Sequence, residues 1–390
     1  MNFDLSEDQR MMRESFARFF DEQSSIARVR AAQPGGFDAL MWKGLAELGA
    51  FSLRVPEALD GLGLGLMDAV VLMEEAGRRL ASGPVAETLV SARLLALCGG
   101  AEAGDILADV LAGDAIVTLA FRDTAGEPLQ WVAGGAIAHA VIARSGDEVV
   151  LVSIPESARV GEPNLASTPV AELDLSAHPR TVLGSGVAAT RLFTQAVEEW
   201  KLLISAALAG LARESLELAS AYACERKQFG QLIGTFQGIS HPLADLLCDV
   251  DGGKFLVWKS IRDIADGSAE AGPTISLATW WNIDAATRSV AQSLHTFGGY
   301  GLTTEYDIFL YNLRAKAWPL VFGDPQRFLE EAGRRFYAGE MPVLPEAGDV
   351  PIDFDLGDDA RAITREIDEF FARHVTPEMR TYVIDQLERE

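Results

Sequence analysis

The chain has 390 residues, of which 57 are Asp or Glu and 33 Lys or Arg, a formal net charge of −24. A surplus of that sign excludes a general nucleic-acid binder, which neutralises phosphates with a basic surface. A hydrophobic content of 48% with 23% charged residues excludes a disordered or fibrous chain. Cys98, Cys224 and Cys248 are too few and too scattered for a disulfide framework. Neither they nor His139, His178, His241, His295 and His374 have metal-ligand spacing, so no metal site is expected. The most continuous apolar stretch, Leu202 to Ala212, is far short of the roughly 20 residues of a membrane span. Acids stand near the N-terminus where a signal peptide carries bases. A cytoplasmic protein without a membrane or nucleic-acid partner is predicted.

From Ser6 to about Ile116 the pattern is helical. Ser6 is a candidate N-cap with Glu7 and Asp8 behind it, and Met12, Phe16, Phe19 and Phe20 recur at helical spacing. Val55 to Leu66, rich in Pro and Gly, interrupts the pattern, and a helix resumes from Met67 to Leu80. Between Ala115 and Val187, β-rich runs at Ala115–Phe121, Ala136–Ile142 and Val149–Ile154 alternate with turn residues and predict a small, mostly antiparallel β domain. Long helices return at Trp200–Phe229, Gly238–Asp266 and Pro273–Phe297. The predicted domains are 1–115, 116–188 and 189–340, with 341–352 of linker composition through Pro342, Pro345, Gly348 and Pro351.

Residue 353 begins a repeat. Phe3-Asp-Leu-Ser-Glu-Asp-Gln-Arg and Phe354-Asp-Leu-Gly-Asp-Asp-Ala-Arg align without a gap at an offset of 351, and the register still holds at Phe19-Phe20 and Phe370-Phe371. Seven of the 18 positions from 3 to 20 are identical to their counterparts, against about one for ordinary composition. Two acidic amphipathic helices can also look alike without common origin. The other reading is that residues 353–390 start a second copy of the same fold.

Three motifs carry a resemblance. Glu225-Arg-Lys-Gln-Phe-Gly, continuing to Asp245, resembles the Arg-x-x-Phe-Gly signature of the acyl-CoA dehydrogenase family. Phe297-Gly-Gly-Tyr-Gly-Leu-Thr-Thr-Glu-Tyr306 is similar to its Gly-Gly-x-Gly-x-Thr-x-Glu turn, and Val55-Pro-Glu through Gly61-Leu-Gly to Glu74-Glu-Ala-Gly-Arg78 supplies the third match. The resemblance implies an α+β fold with an N-terminal α-helical domain, a middle β-barrel or sandwich domain and a C-terminal four-helix bundle. It also implies an FAD enzyme that dehydrogenates an acyl-CoA thioester across Cα and Cβ, with a carboxylate as general base. Such enzymes are oligomers that seat each FAD across a subunit interface. The positions implied for cofactor binding are Arg226, Gln228, Phe229, His295, Gly298, Gly299 and Gln326. Arg226 would fork onto the pyrophosphate, Phe229 would form an apolar wall, Gly298-Gly299 would allow close backbone approach, and His295 would lie near the adenine.

The rest of the family pattern is broken. Where a Thr-Glu-Pro-x-x-Gly-Ser-Asp loop is usual, the chain reads Phe121-Arg-Asp-Thr-Ala-Gly-Glu-Pro128, and Trp131-Val-Ala-Gly-Gly135 replaces a Trp-x-Thr-Asn-Gly strand. The usual base position holds Phe322, and the alternative one, counted back from Glu225-Arg226-Lys227, holds Trp200, with Lys201 where an arginine is usual. Nearby acids are Glu198, Glu199 and Asp324, which on so acidic a chain are expected to be solvated. Thr304-Glu-Tyr-Asp307, Leu310-Tyr-Asn-Leu-Arg-Ala-Lys316 and Gly77-Arg-Arg-Leu-Ala-Ser-Gly-Pro84 look like the subgroup of bacterial steroid side-chain degradation. There, two unlike subunits or two fused halves pair and only one keeps the base. The expectation is a non-catalytic half completing the FAD site of a paralogous catalytic half. The alternatives are a self-sufficient dehydrogenase or oxidase with Asp324, Glu198 or Glu199 as displaced base, and a flavin-free assembly subunit.

Overall fold

A computed structural model of the chain describes residues 1–379 and 381. Two compact units result: residues 6–350, and a smaller one of residues 1–5 together with residues from 351 onward.

In the larger unit Ser6 opens α1 (Glu7–Gln23) with a reciprocal capping box: its hydroxyl accepts from Gln9 N at 3.1 Å and Gln9 Oε1 accepts from Ser6 N at 3.3 Å. Next come α2 (Ile26–Ala31), α3 (Ala39–Glu47), α4 (Leu66–Arg78), α5 (Val85–Cys98) and α6 (Ala101–Leu111). Pro84 starts α5, and Gly99 and Gly100, both at positive φ, divide it from α6. Phe16 and Phe20 of α1 are buried, and α1 packs on α4.

The middle region has six strands: β1 (Val117–Leu119), β2 (Leu129–Val132), β3 (Ala140–Ser145), β4 (Glu148–Ser153), β5 (Ala171–Asp174) and β6 (Arg180–Ser185). A mixed sheet runs β1-β3-β4-β6, with β1 and β3 parallel and the other pairs antiparallel, and β2 pairs with β5. Val132 and Leu173 from the small sheet share an apolar cluster with Val141, Ala143, Val150 and Val152 from the large one. The result is two sheets over one core; among the described residues no barrel closes. The predicted strand Ala136–Ile142 is displaced to Ala140–Ser145. Ala136 lies in the turn after Gly134, its N–H donating to the Pro169 carbonyl at 3.1 Å.

The C-terminal helices are α7 (Gly186–Glu225), α8 (Gln237–Ala265) and α9 (Ala271–Phe297), with α10 (Ile308–Ala317) and α11 (Gln326–Ala338) packed against α9. Helix α7 starts 14 residues before the predicted Trp200 and stops at Glu225, because Arg226 turns extended (φ −71°, ψ 130°) into the hairpin of β7 (Lys227–Gln228) and β8 (Gln231–Leu232). Helices α4 and α7 cross at backbone contact. A Cβ on Gly77 would lie 1.9 Å from the Ala207 carbonyl oxygen, and one on Gly210 would lie 2.0 Å from that of Glu74.

Residues 341–350 form no helix or strand but lie along the unit as a strap. Arg54 donates to the Glu346 carbonyl at 2.7 Å, Leu66 N to that of Ala347 at 2.7 Å, and Gln195 to that of Leu344 at 2.8 Å. In the smaller unit, residues 1–5 meet residues 351–357, and α12 (Asp358–His374) follows. The predicted second copy extends to residue 390, of which 380 and 382–390 lie outside the described residues.

Candidate functional site

Five of the seven predicted cofactor residues converge. A cleft of about 710 Å³ opens where α7 ends, α8 begins and α9 ends, lined by Arg226, Gln228, Phe229, Phe236, Gly298, Gly299 and Tyr300 among others. Phe229 and Gly230 are the two central residues of the β7–β8 hairpin, both at positive φ (52° and 82°), the handedness a two-residue hairpin demands. A phenylalanine is strained there, and this one is also 94% exposed. Arg226 makes no ion pair among the described residues; its guanidinium lies 5.6 Å from the centre of the Tyr300 ring. Tyr222 stacks on Phe297 at 4.2 Å, forming an aromatic wall. Phe236, the residue before α8, offers no side-chain cap, so the positive end of a 29-residue helix faces the same space. One unpaired cation, free helix amides and flat rings suit an anion joined to an aromatic group.

The remaining two lie elsewhere. His295 is exposed in the last turn of α9 and Gln326 is the first residue of α11; neither lines the cleft. Gly298 has φ +60° at the end of α9, which favours glycine, while nothing lies within 4 Å of a Cβ built on Gly298 or Gly299. Among the described residues, no atom uses their freedom from side chains.

Phe322 and Trp200, the two positions at which the family resemblance would place a base, come together at a second place. Trp200 and Phe322 stack with centroids 5.7 Å apart at 14°, Phe121 packs on both at 4.4 and 5.2 Å, and Phe328 closes the group 4.9 Å from Phe322. Phe121 comes from the loop that replaces the family's flavin loop, so three sequence departures form one hydrophobic plug. A recess of about 330 Å³ beside it is lined by Arg122, Glu127, Arg327, Glu331 and Arg334.

The expectation that Glu198 and Glu199 are solvated is overturned: they are 2% and 1% exposed. Glu199 accepts from Arg54 Nε at 3.0 Å and Arg93 Nη1 at 2.7 Å. Burial opposes its ionisation, but the two guanidiniums outweigh that and hold the carboxyl below its usual range. Glu198 accepts from Lys201 Nζ at 2.7 Å and from both terminal nitrogens of Arg335 at 2.7 and 2.8 Å. Against the same burial penalty, the Lys201 charge first and Arg335 second lower its pKa. Clamped and ionised, neither can travel to a substrate. Asp324 is exposed, and its carboxylate accepts from Gln326 N at 3.0 Å in an Asx turn leading into α11.

One carboxyl falls outside the sequence expectations. Glu87, in α5, is 7% exposed, accepts from Trp200 Nε1 at 2.9 Å, and lines a cavity of about 70 Å³ with Met73, Ile204 and Arg314. Burial pushes its pKa up, only partly offset by the indole. The available signal is a lone acid in the mostly apolar run Val85-Ala-Glu-Thr-Leu-Val90. The cavity is far below the roughly 300–1,000 Å³ of ligand pockets.

Comparison with known proteins assigns the class. The acyl-CoA dehydrogenase N-terminal domain matches residues 6–113 and the acyl-CoA dehydrogenase C-terminal domain residues 190–336, and the chain belongs to the acyl-CoA dehydrogenase family of oxidoreductases. Acyl-CoA dehydrogenase IpdE2 of Mycolicibacterium smegmatis is 29% identical over 328 residues, 83% of this chain and 97% of that protein. Acyl-CoA dehydrogenase FadE34 of Mycobacterium tuberculosis is 31% identical over 307 residues, 77% of this chain but only 42% of FadE34. Among solved structures, a variant of the Tcur3481-Tcur3483 steroid ACAD is 25% identical with a TM-score of 0.76, over 85% of this chain and 98% of that one.

Proposed function

We propose that this chain is the base-less half of an FAD-dependent acyl-CoA dehydrogenase, which completes the cofactor site of a paralogous catalytic half. The observation that carries this reading is the stacked Trp200–Phe322 pair: both positions at which the family places its carboxylate hold aromatic rings. Indole and phenyl groups cannot take an α-proton. The adjacent 70 Å³ cavity leaves no room for an acyl chain of any bulk.

The C-terminal end of α7 supports the donating role. Trp200 and Arg226 are separated by 26 residues on or at the end of one helix, about 39 Å at 1.5 Å per residue. No single dinucleotide reaches both. The cleft fits the adenylate and pyrophosphate part of FAD: Arg226 and the α8 amides would meet the phosphates, with Phe229 and Tyr300 offering apolar faces. FAD, when bound, supplies the acceptor for the hydride leaving Cβ. The substrate is then an acyl-CoA thioester bound by the partner half, and the steroid relative favours a bulky, steroid-derived acyl group. We read residues 1–340 as the three-domain body and 353–390 as the opening of a second copy; FadE34, of which this chain matches less than half, supports a double-length arrangement. None of the described helices is long and apolar enough to cross a membrane, which agrees with a cytoplasmic enzyme.

Flavin absorbance and acyl-CoA turnover, measured on the chain alone and with its catalytic half, test the proposal. One flavin per pair, with turnover only in the pair, is expected; one flavin per chain with turnover would refute it, as would a flavin-free pair. Arg226→Ala should weaken flavin retention in the pair by about 1.5–3 kcal/mol, the worth of a charged hydrogen bond.

A second reading, a self-sufficient enzyme, runs through Glu87, which has a raised pKa and lines a cavity, and not through Glu198 and Glu199, which are clamped by cations, or the exposed Asp324. Under it Glu87→Gln abolishes turnover by the chain alone. Under ours it changes only stability. The unfolded Glu87 ionises above about pH 4.5 while the folded one stays protonated further up, so it destabilises increasingly as pH rises through that window. The Glu87→Gln variant should therefore gain on the parent between acid and neutral pH in urea titrations.

A further inference from the structure

The repeat read in the sequence also shows in local hydrogen bonding. Asn2 Oδ1 accepts from Asp4 N at 3.1 Å, and 351 positions on, Asp353 Oδ1 accepts from Asp355 N at 2.7 Å, so both segments make the same turn. They also pair with each other. Asn2 N donates to the Asp353 carbonyl and Asp353 N to that of Asn2, each at 2.7 Å, and the Phe3 and Phe354 rings lie 4.9 Å apart. These two contacts join residues to their own counterparts, and beside them Met1 N donates to the Asp355 carbonyl and Asn2 Nδ2 to that of Pro351.

Helix α12 continues the correspondence. Ile363, Ile367, Phe370 and Phe371 fall on Met12, Phe16, Phe19 and Phe20 of α1. In α1, Phe16 and Phe20 are 3% and 0% exposed because α1 packs on α4. No residue of α12 is buried; Ile367 and Phe371 are 48% and 51% exposed. A stripe of that kind along four turns does not persist in water without an occupant.

We infer that the apolar stripe of α12 is a docking surface for one partner, the helix equivalent to α4 in a second acyl-CoA dehydrogenase-like copy. This rests on the reading of residues 353–390 as the start of that copy. The way α1 is covered supplies the identity of the occupant: the same register on α12 presents the same stripe, and α4 is what that stripe meets in the first copy. The matched turns and the Asn2–Asp353 bridge agree with the same correspondence.

Two measurements test it separately. The intact mass of the native protein carrying this chain reports whether a second copy follows residue 390; a native protein without one removes the tandem reading and the occupant with it. Ile367→Cys and, as an exposed control, Arg365→Cys are then alkylated with N-ethylmaleimide in the 390-residue chain and in the continuous native protein, with rates read by peptide mass. Docking predicts that the thiol introduced by Ile367→Cys reacts at the control's rate in the 390-residue chain and at least tenfold more slowly in the continuous protein. Equal rates in both overturn docking even if the second copy exists. Slow alkylation of the 390-residue chain that lifts on dilution assigns the surface to self-association and also overturns it. As a second variant, Phe371→Asp in the continuous protein should lower the later of two thermal transitions and leave the other; an unchanged pair of transitions counts against docking.

Discussion

Phe229 carries its aromatic ring at φ 52° almost wholly in solvent, a conformation that costs a bulky residue about 1–2 kcal/mol and that no contact within the chain repays fully. Its nearest aromatic neighbour, Phe236, is 6.2 Å away edge to face. Asparagine tolerates this backbone. Phe229→Asn should therefore stabilise the isolated chain by about 1 kcal/mol in urea unfolding, while flavin retention in the assembled pair falls. Gain in both would deny the side chain a binding role. Glu199 lies at the other extreme: removing it strands Arg54 and Arg93 in the interior, and Glu199→Ala is expected to cost about 3–5 kcal/mol at neutral pH. Because the folded carboxyl titrates below its unfolded value of 4.5, that contribution is complete above about pH 4.5 and is lost as pH falls through the folded value. The gap between parent and variant should narrow in acid.

The elements are legible where periodicity or turn chemistry sets them. Ser6 and its capping box, the α-β-α order, and the convergence of Arg226, Gln228, Phe229, Gly298 and Gly299 follow from local pattern and motif. What stays hidden depends on distant partners. Glu198 and Glu199 read as surface acids until Arg54, Arg93 and Arg335 arrive from other elements, and Asp324 reads as a free acid until it accepts from Gln326 N in the turn before α11. The strand at Ala140–Ser145 is misplaced in the sequence reading because alanine and isoleucine are as apolar in a buried turn as in a sheet. The α4–α7 crossing belongs to this hidden class too. Neither Gly77 nor Gly210 ends a helix, and their function is close contact between backbones. Gly77→Ala must push a methyl against the Ala207 carbonyl, with an expected loss of about 1–3 kcal/mol or more, measured as a lowered thermal midpoint.

At the scale of the molecule, the Arg226 cleft lies at the C-terminal end of α7, and the aromatic plug gathers around Trp200, 26 residues earlier on the same helix. A rigid helix of this length acts as a ruler, keeping the two places from sharing fate. Mutations that turn one place greasy and inert exert no mechanical pull on the other. On the proposed reading, such a layout would let one copy of a duplicated pair shed its chemistry without unlearning how to hold a neighbour's cofactor, so that specialisation would need only a few side-chain replacements and no new architecture.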